Sequence, residues 1–236
     1  MFKYGNILLL PGEDVQKVIE EVYDDDCYRI DEIPTGSIVL DIGAFGGEFG
    51  IKCCVEKDCR VMAYEPVSRM FNHLILNVKL NELPPDIFVP IKGALGKAEG
   101  DRILYYRPGA PASSQIEGYV TDYEKGGELI EEVTRCYTIS SQIAIAKQKW
   151  GDLPICVKMD CEGAEAEIFE NSSWIDDIHI VTMEWHNYDG DLYANMLEKR
   201  GFSVFLEGGG PKPRPQWNKT IGGGLLFAQR NTSATH

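Results

Sequence analysis

The chain has 236 residues, a length that suits one α/β domain with a core stable without disulfides or metals. Its apolar share of 44% and charged share of 25% exclude a disordered chain. The formal net charge of −14 disfavours sequence-independent binding of nucleic acid and docking on anionic membranes, because both rest on clustered Lys and Arg.

The cysteines and the apolar runs indicate in which cellular compartment the protein is expected. The seven cysteines are odd in number and include no C-x-x-C pair, so we expect reduced, buried thiols and no zinc site. We find no signal peptide, because the apolar run Ile7–Leu10 is short and ends at Pro11, and no run long enough for a membrane span. These features predict a cytoplasmic protein without membrane insertion.

Short apolar runs alternate with amphipathic stretches along most of the chain. The acidic segment Gly12–Glu32 comes first and is predicted to form a helical lid or flank. The alternation that follows predicts a parallel sheet with helices on both faces. The predicted strands are Ile38–Ile42, Arg60–Glu65, Ile87–Ala94, Ile155–Asp160, Ile178–Glu184, Phe202–Leu206 and Leu225–Gln229, and the predicted helices are Gly46–Lys57, Val67–Asn81, a helix that begins with Ala164–Phe169, and Leu192–Arg200.

The domain is predicted to be single, over residues 1–236, with a flank at 1–36 and a core at 37–230. An insertion at about 96–148 interrupts this core. It contains strand-like pieces at Arg102–Arg107 and Val133–Ile139, a Pro/Gly/Ser loop at Pro108–Ser114 and a late helix. Insertions on a rigid scaffold often determine specificity, so Ser113 and Ser114 are candidate acceptor contacts.

The sequence LDIGAFGG, Leu40–Gly47, predicts a ligand-binding turn between a buried strand and a helix. A dinucleotide-binding turn needs G-x-G-x-x-G, whereas Phe45 and Glu48 stand where the second and third glycines belong. A pyrophosphate would meet a Phe side chain and a carboxylate. S-adenosylmethionine has no phosphate and carries a sulfonium and an amino group, which suit the acidic Asp41.

Acidic residues also end three other predicted strands. Glu65, in YEP before Pro66, can accept hydrogen bonds from both ribose hydroxyls, although dehydrogenases use the same device. KMDCEGAE places Asp160 and Glu162 as candidate functional residues, and Glu165 is expected to cap a helix. MEWHN places Glu184 and His186 two residues apart, on one side of a continuing strand, and His is the usual general base near neutral pH.

Four segments in this order resemble the FkbM-type methyltransferase family: LDIGAFGGEFGI, AYEPVSRMFNHLILNVKLN, KMDCEGAEAEIF and MEWHN. The family has a DxGAxxG turn, an EP helix ending in Asn, a K-x-D-x-EGAE turn and a strand ending in E-x-H. The match runs from about Tyr28 to His186. The chain departs from the family at Phe45–Gly47, where Asn-Ile-Gly is frequent, and after about Gly201 it matches only in outline.

The resemblance implies an S-adenosylmethionine-dependent O-methyltransferase with a Rossmann-like class I α/β fold. That fold is a mostly parallel seven-stranded sheet with helices on both faces and an antiparallel last strand, here Leu225–Gln229. Family acceptors are hydroxyls of sugars, glycolipid or polysaccharide units and polyketides. Together with the strand ends, the resemblance indicates a cofactor site formed by Asp41, Gly43, Ala44, Phe45, Gly46, Glu65, Pro66 and Asp160.

An aliphatic hydroxyl is a poor nucleophile, so the reaction needs a base or a metal ion. We expect His186 to be the base, with Asp160 orienting the acceptor or the His. The alternative is Mg²⁺ or Mn²⁺ held by Asp160, Glu184 and His186. The predicted acceptor is a neutral hydroxylated small molecule or glycan, contacted by Ser113, Ser114, Glu162, Trp185 and Arg214, the last from the basic segment Pro211–Lys219.

Two other functional classes compete with this interpretation. A nicotinamide-dependent oxidoreductase on a related fold would also have an acidic residue at the position of Glu65. This chain, however, lacks two of the three glycines that a dinucleotide-binding turn needs. A non-catalytic cofactor-binding protein would not need carboxylates at three strand ends. The sequence carries no indication of an oligomeric state.

Overall fold

The computed structural model describes residues 1–12, 14–107, 110–116, 129–188, 190–208 and 222–231. Its strands are β1 (Phe2–Tyr4), β2 (Ile7–Leu9), β3 (Ile38–Ile42), β4 (Arg60–Glu65), β5 (Phe88–Lys92), β6 (Ala94–Leu95), β7 (Gly100–Arg107), β8 (Ala110–Ile116), β9 (Ile130–Tyr137), β10 (Ile155–Met159), β11 (Ile180–Tyr188), β12 (Phe202–Gly208) and β13 (Gly222–Arg230). Its α-helices are α1 (Val15–Ile19), α2 (Glu48–Lys57), α3 (Ser68–Leu80), α4 (Ile139–Trp150), α5 (Glu165–Glu170) and α6 (Gly190–Glu198). A π-helical turn spans Glu20–Asp24, and 3₁₀ turns span Ile30–Glu32 and Ser172–Asp177.

The central sheet has seven strands in the order β12-β13-β11-β10-β3-β4-β5. The pairs from β11 to β5 are parallel, and β13 is antiparallel to both of its neighbours. The Rossmann-like α/β fold with an antiparallel last strand is therefore confirmed. From β3 the chain adds strands outward to β5, and from β10 it adds them in the other direction. Ligands of open α/β sheets bind at such a switch point.

Helices cover both faces of the sheet, because successive strand residues point to opposite sides. On β3, Val39 packs with the cluster that includes α2 and α3, whereas Leu40 packs with the cluster that includes α4, α5 and α6. All five residues of β3 are buried, as expected for a central parallel strand. No helix among the described residues is both long and apolar enough to cross a membrane.

The N-terminal segment is more than the predicted helical lid. β1 and β2 form an antiparallel hairpin, which the sequence did not indicate. Asn77 of α3 and Asn81, the residue after α3, accept hydrogen bonds from the backbone N–H groups of Leu10 and Leu8, both at 2.9 Å. The chain then continues through α1 and the π-helical turn across the carboxyl ends of the sheet.

The insertion forms a second sheet with the order β6-β9-β7-β8. The predicted loop Pro108–Ser114 is wrong in part, because the chain is a strand from Ala110 onward, paired with β7. β11 continues to Tyr188 instead of ending at Glu184, because β13 pairs with it along this whole length. This extension carries His186 on a strand.

Candidate active site

A cavity of about 820 Å³, partly open to solvent, lies at the carboxyl ends of β3, β4 and β10. Five carboxyl side chains line it, from Glu21, Glu48, Glu65, Asp160 and Glu162, and Lys158 is the one cationic side chain among its described lining residues. The other described lining residues are Val18, Val22, Tyr28, Ile42, Gly43, Ala44, Phe45, Phe49, Tyr64, Pro66, Gly93, Ala94, Leu95, Leu104, Ser114, Ile116 and Cys161.

The turn after β3 forms one wall of the cavity. Gly43 has φ +75°, and a Cβ atom there would lie 1.8 Å from the backbone oxygen of Asp160 at the end of β10. Only glycine allows the two strand ends to approach this closely. Gly43, Ala44 and Phe45 line the cavity as predicted positions for cofactor contact, whereas Gly46 is not among its described lining residues.

Glu65, at the end of β4, is held by the turn. Its Oε2 accepts a hydrogen bond from the Phe45 N–H at 2.9 Å, and its Oε1 accepts one from the Val67 N–H at 2.7 Å. The residue is 5% exposed, and burial raises the pKa of its carboxyl to about 8, while these backbone N–H groups oppose the shift. Each oxygen keeps a second lone pair for a ligand hydroxyl.

Asp41 does not reach the cavity, although the sequence predicted a cofactor contact there. It is fully buried, and Lys158 Nζ lies 3.5 Å from its Oδ1. Lys158 Nζ also donates to the Gly43 carbonyl oxygen at 2.7 Å. Asp41 therefore holds Lys158 against the glycine turn, and Lys158 is the member of the pair that lines the cavity.

Glu48, the first residue of α2, lies on the cavity wall and was not predicted as a ligand. It is fully buried, and neither carboxylate oxygen has a hydrogen-bond partner among the described residues. Burial raises the pKa of Glu48 to about 8. A buried carboxyl group without a partner is costly and often marks a ligand site.

The N-terminal segment closes the cavity from above. The Tyr28 hydroxyl donates a hydrogen bond to Asp160 Oδ2 at 2.9 Å, and Lys158 Nζ lies 5.2 Å from the centre of the Tyr28 ring. Tyr23 donates to the Glu48 backbone oxygen at 3.0 Å. The sequence did not single out either tyrosine.

His186 lies next to Glu162, which lines the cavity. Its Nδ1 lies 3.3 Å from Glu165 Oε1, and its Nε2 lies 3.8 Å from Glu162 Oε2 and 3.7 Å from Glu184 Oε1. Glu165 is fully buried and accepts the N–H groups of Cys161 at 3.0 Å and Gly163 at 2.8 Å. The expected helix cap is therefore wrong, because Glu165 is the first residue of α5 and binds N–H groups of the turn that precedes the helix, while it also orients the imidazole of His186.

The side chains of His186, Glu162 and Glu184 shift one another's pKa values. Burial alone lowers the pKa of His186, but the hydrogen bond to Glu165 and the charges of Glu165, Glu162 and Asp160 raise it well above its ordinary value. Burial raises the pKa of Glu162 to about 7, against the effect of His186, and burial with the charge of Asp160 raises the pKa of Glu184 to about 7. At neutral pH, His186 is thus charged and the two glutamates are partly protonated.

The same cluster has a geometry that could hold a metal ion. Ligand atoms of Asp160, Glu162 and His186 all lie within 4.8 Å of one another. The sequence had named Glu184 in place of Glu162. Glu184 and His186 are not among the described residues that line the cavity.

The remaining predicted acceptor contacts have different placements. Ser114 lines the cavity from β8. Trp185 is 7% exposed and packs in the core, because it alternates with Glu184 and His186 along β11 and so points to the other side. The side chain of Ser113 and all of Arg214 lie outside the described residues.

No protein-family model matches the chain. The chain is 22% identical over 235 residues to Methyltransferase 1 of Beauveria bassiana (strain ARSEF 2860). The aligned region covers 92% of this chain and 91% of that protein. The chain is 25% identical over 123 residues to Methyltransferase sdnD of Sordaria araneosa, with coverage of 52% of this chain and 45% of that protein. Methyltransferase FkbM from Methylobacillus flagellatus KT, a solved structure, matches with a TM-score of 0.51 and 15% identity, over 84% of this chain and 44% of that chain.

These similarities support the fold and, separately, the broad class of activity. The likeness to the solved structure supports the Rossmann-like fold. The likeness to two named methyltransferases supports methyltransferase activity as the broad class.

Proposed function

We propose that this chain is an S-adenosylmethionine-dependent O-methyltransferase that acts on a hydroxyl of a sugar, glycan or related natural product. The observation that carries the proposal is Glu65, which two backbone N–H groups hold at the cavity wall beside the glycine turn. A carboxylate fixed in this way can accept both hydroxyls of a ribose. S-adenosylmethionine, when bound, supplies an electrophilic methyl group on a sulfonium.

The charges in the cavity fit this cofactor better than a dinucleotide. Five carboxyl groups face the cavity, and its one described cation, Lys158, is engaged by Asp41 and the Gly43 carbonyl. Such a site disfavours a pyrophosphate and favours a ligand with positive groups. The lining also includes the apolar side chains of Pro66, which follows Glu65, and Leu95, which suit an adenine ring.

Within this proposal, Glu162 removes the hydroxyl proton. It lines the cavity, and its pKa of about 7 suits a base at neutral pH. Its backbone is in the left-handed region, with φ +54°, as is common where function fixes a strained residue. His186, held by Glu165, positions Glu162, and its positive charge favours the carboxylate form of Glu162 that accepts the proton. We propose this role for His186 in place of the general base that the sequence suggested.

Resemblance to a family of O-methyltransferases supports the acceptor class, and so does the position of the insertion. Leu104, Ser114 and Ile116 bring the second sheet to the cavity, where it can contact an acceptor. Hydroxyl-rich acceptors hydrogen-bond well to carboxylates such as Asp160 and Glu162. Divalent-cation assistance at Asp160, Glu162 and His186 is the alternative to a base.

Methyl-labelled S-adenosylmethionine, offered with a panel of glycans, lipid-linked sugars, polyketides, RNA and protein, tests the proposal. We expect label on the oxygen of a hydroxylated compound, also with a chelator present. Glu162→Gln should lower the rate by roughly 10²–10⁴-fold, whereas Glu170→Gln, an exposed acid at the end of α5, should keep it. Label confined to RNA or protein would contradict the acceptor class, and loss of activity with chelator that Mn²⁺ or Mg²⁺ restores would contradict Glu162 as sole activator.

A further inference from the structure

The cavity contains a carboxyl group that the reaction described above does not use. Glu48 lines the cavity, is fully buried and has no hydrogen-bond partner for either carboxylate oxygen among the described residues. Burying such a group without a partner is unfavourable, because the hydrogen bonds it made to water are not replaced. An unpaired acid that faces a ligand cavity is explained if the ligand brings its partner.

The chemistry of that partner follows from the surroundings. Lys158, the nearest lining cation, is already paired with Asp41 and the Gly43 carbonyl oxygen. The other ionisable lining side chains apart from Tyr28 and Tyr64 are carboxyls or a thiol, and none can neutralise Glu48. His73 of α3 also lies close to Glu48, but burial lowers its pKa, so it supplies no positive charge at neutral pH. We therefore expect the partner on the ligand to be a positively charged hydrogen-bond donor, small enough to reach the start of α2.

We infer that Glu48 binds the α-ammonium group of the cofactor's amino acid end, the role that the sequence had suggested for Asp41. The inference rests on the proposed function. The Phe45 N–H holds Glu65 within the turn, and Glu48 follows the same turn as the first residue of α2, so one turn brings both carboxyl groups to the cavity, where Glu65 can bind the ribose and Glu48 the ammonium. Asp41 cannot serve, since it lies outside the cavity lining and is paired with Lys158.

This assignment predicts a proton release on binding. Burial raises the pKa of Glu48 to about 8, with the charge of Asp41 acting in the same direction and that of Lys158 opposing it, so the free protein holds Glu48 mostly neutral at pH 7. An arriving ammonium favours the charged form and lowers that pKa. Binding should therefore release part of a proton at pH 7, and a variant without this carboxyl should release less.

Calorimetry with two ligands tests the inference. S-adenosylhomocysteine carries the ammonium, and its desamino analogue, 5′-S-(3-carboxypropyl)-5′-thioadenosine, differs only by lacking it. We expect Glu48→Gln to lower the affinity for S-adenosylhomocysteine about 10- to 100-fold, the effect of losing a charge-assisted hydrogen bond. The affinity for the analogue should fall less than about twofold. Proton release, measured in buffers of different ionisation enthalpy, should fall with the first ligand only.

The controls separate this inference from folding and from the proposed function. Glu56→Gln, exposed on the same helix, should change neither affinity. Glu48→Asp, which keeps the charge on a shorter side chain, should recover part of the affinity for S-adenosylhomocysteine. Equal weakening of both ligands, or of neither, would overturn the role of Glu48 while leaving the proposed cofactor in place. A wild-type protein that binds neither ligand would overturn the proposed function, and this inference with it.

Discussion

The buried carboxyl groups Glu48 and Glu65 make the ligand-free protein sensitive to pH. Burial raises the pKa of each to about 8, above the ordinary glutamate value, so the folded chain holds protons that the unfolded chain releases as the pH rises. Their contribution to stability is full below about pH 4.5 and is lost as the pH rises through about 8. The loss is at most about 1.4 kcal/mol per pH unit for each group.

Thermal unfolding of the ligand-free protein checks this expectation. We expect a lower melting temperature at pH 8.5 than at pH 6, and a smaller difference in Glu48→Gln, because the amide stays neutral. Each kcal/mol corresponds to roughly 2–4 °C for a chain of this size. Glu56→Gln serves as the exposed control, and an undiminished pH dependence in Glu48→Gln would show that burial does not perturb Glu48.

Single residues also mark how far sequence reasoning reaches. Glu65, Asp160 and Glu162 were predictable, because each ends a buried apolar run or follows it in a glycine turn. The link from Glu165 to His186 was not, since it depends on β11 continuing past Glu184 and on turn amides that orient Glu165. Tyr28 gave no sequence signal, because its partner Asp160 lies 132 residues away.

Among the elements, the turn between β3 and α2 is the most constrained. Gly43→Ala would place a Cβ atom 1.8 Å from the Asp160 backbone oxygen, in addition to the cost of φ +75° for a residue other than glycine. We expect a loss of roughly 3–5 kcal/mol in urea unfolding, at the upper end for single substitutions. This loss in the free energy of unfolding would show how closely the ends of β3 and β10 must approach each other.

Gly36→Ala is the matched control for that substitution. Gly36 has φ +79°, but nothing lies within 4 Å of the position its Cβ would take. It should cost only the backbone term, roughly 1 kcal/mol. Equal losses in the two variants would contradict a steric constraint at Gly43.

The predictability of the elements follows the same physical division. β3, β4 and β10 were predicted nearly to the residue, because central parallel strands are continuous apolar runs bounded by turns. β1, β2 and β8 were missed, since short or exposed strands depend on pairing partners distant in sequence. The predicted helix from Gly46 begins at Glu48, because the turn occupies the first residues.

At the scale of the whole molecule, three parts of the chain converge on one cavity. The sheet supplies the turn and the acidic strand ends, the N-terminal segment supplies Glu21 and Tyr28, and the insertion supplies Ser114. The boundaries of flank, core and insertion as one domain stay a prediction. All three parts would contact the S-adenosylmethionine that we propose for this cavity.

Calorimetric titration of the purified protein with S-adenosylmethionine and, separately, with NAD⁺ tests the proposed cofactor most directly. We predict micromolar-range binding of S-adenosylmethionine, no binding of NAD⁺, and a loss of about 10- to 100-fold in Glu65→Ala, which removes two hydrogen bonds from the ribose to a carboxyl group whose charged form these bonds favour. Binding of NAD⁺ with no heat from S-adenosylmethionine would contradict the account, and an unchanged dissociation constant in Glu65→Ala would contradict the ribose contact.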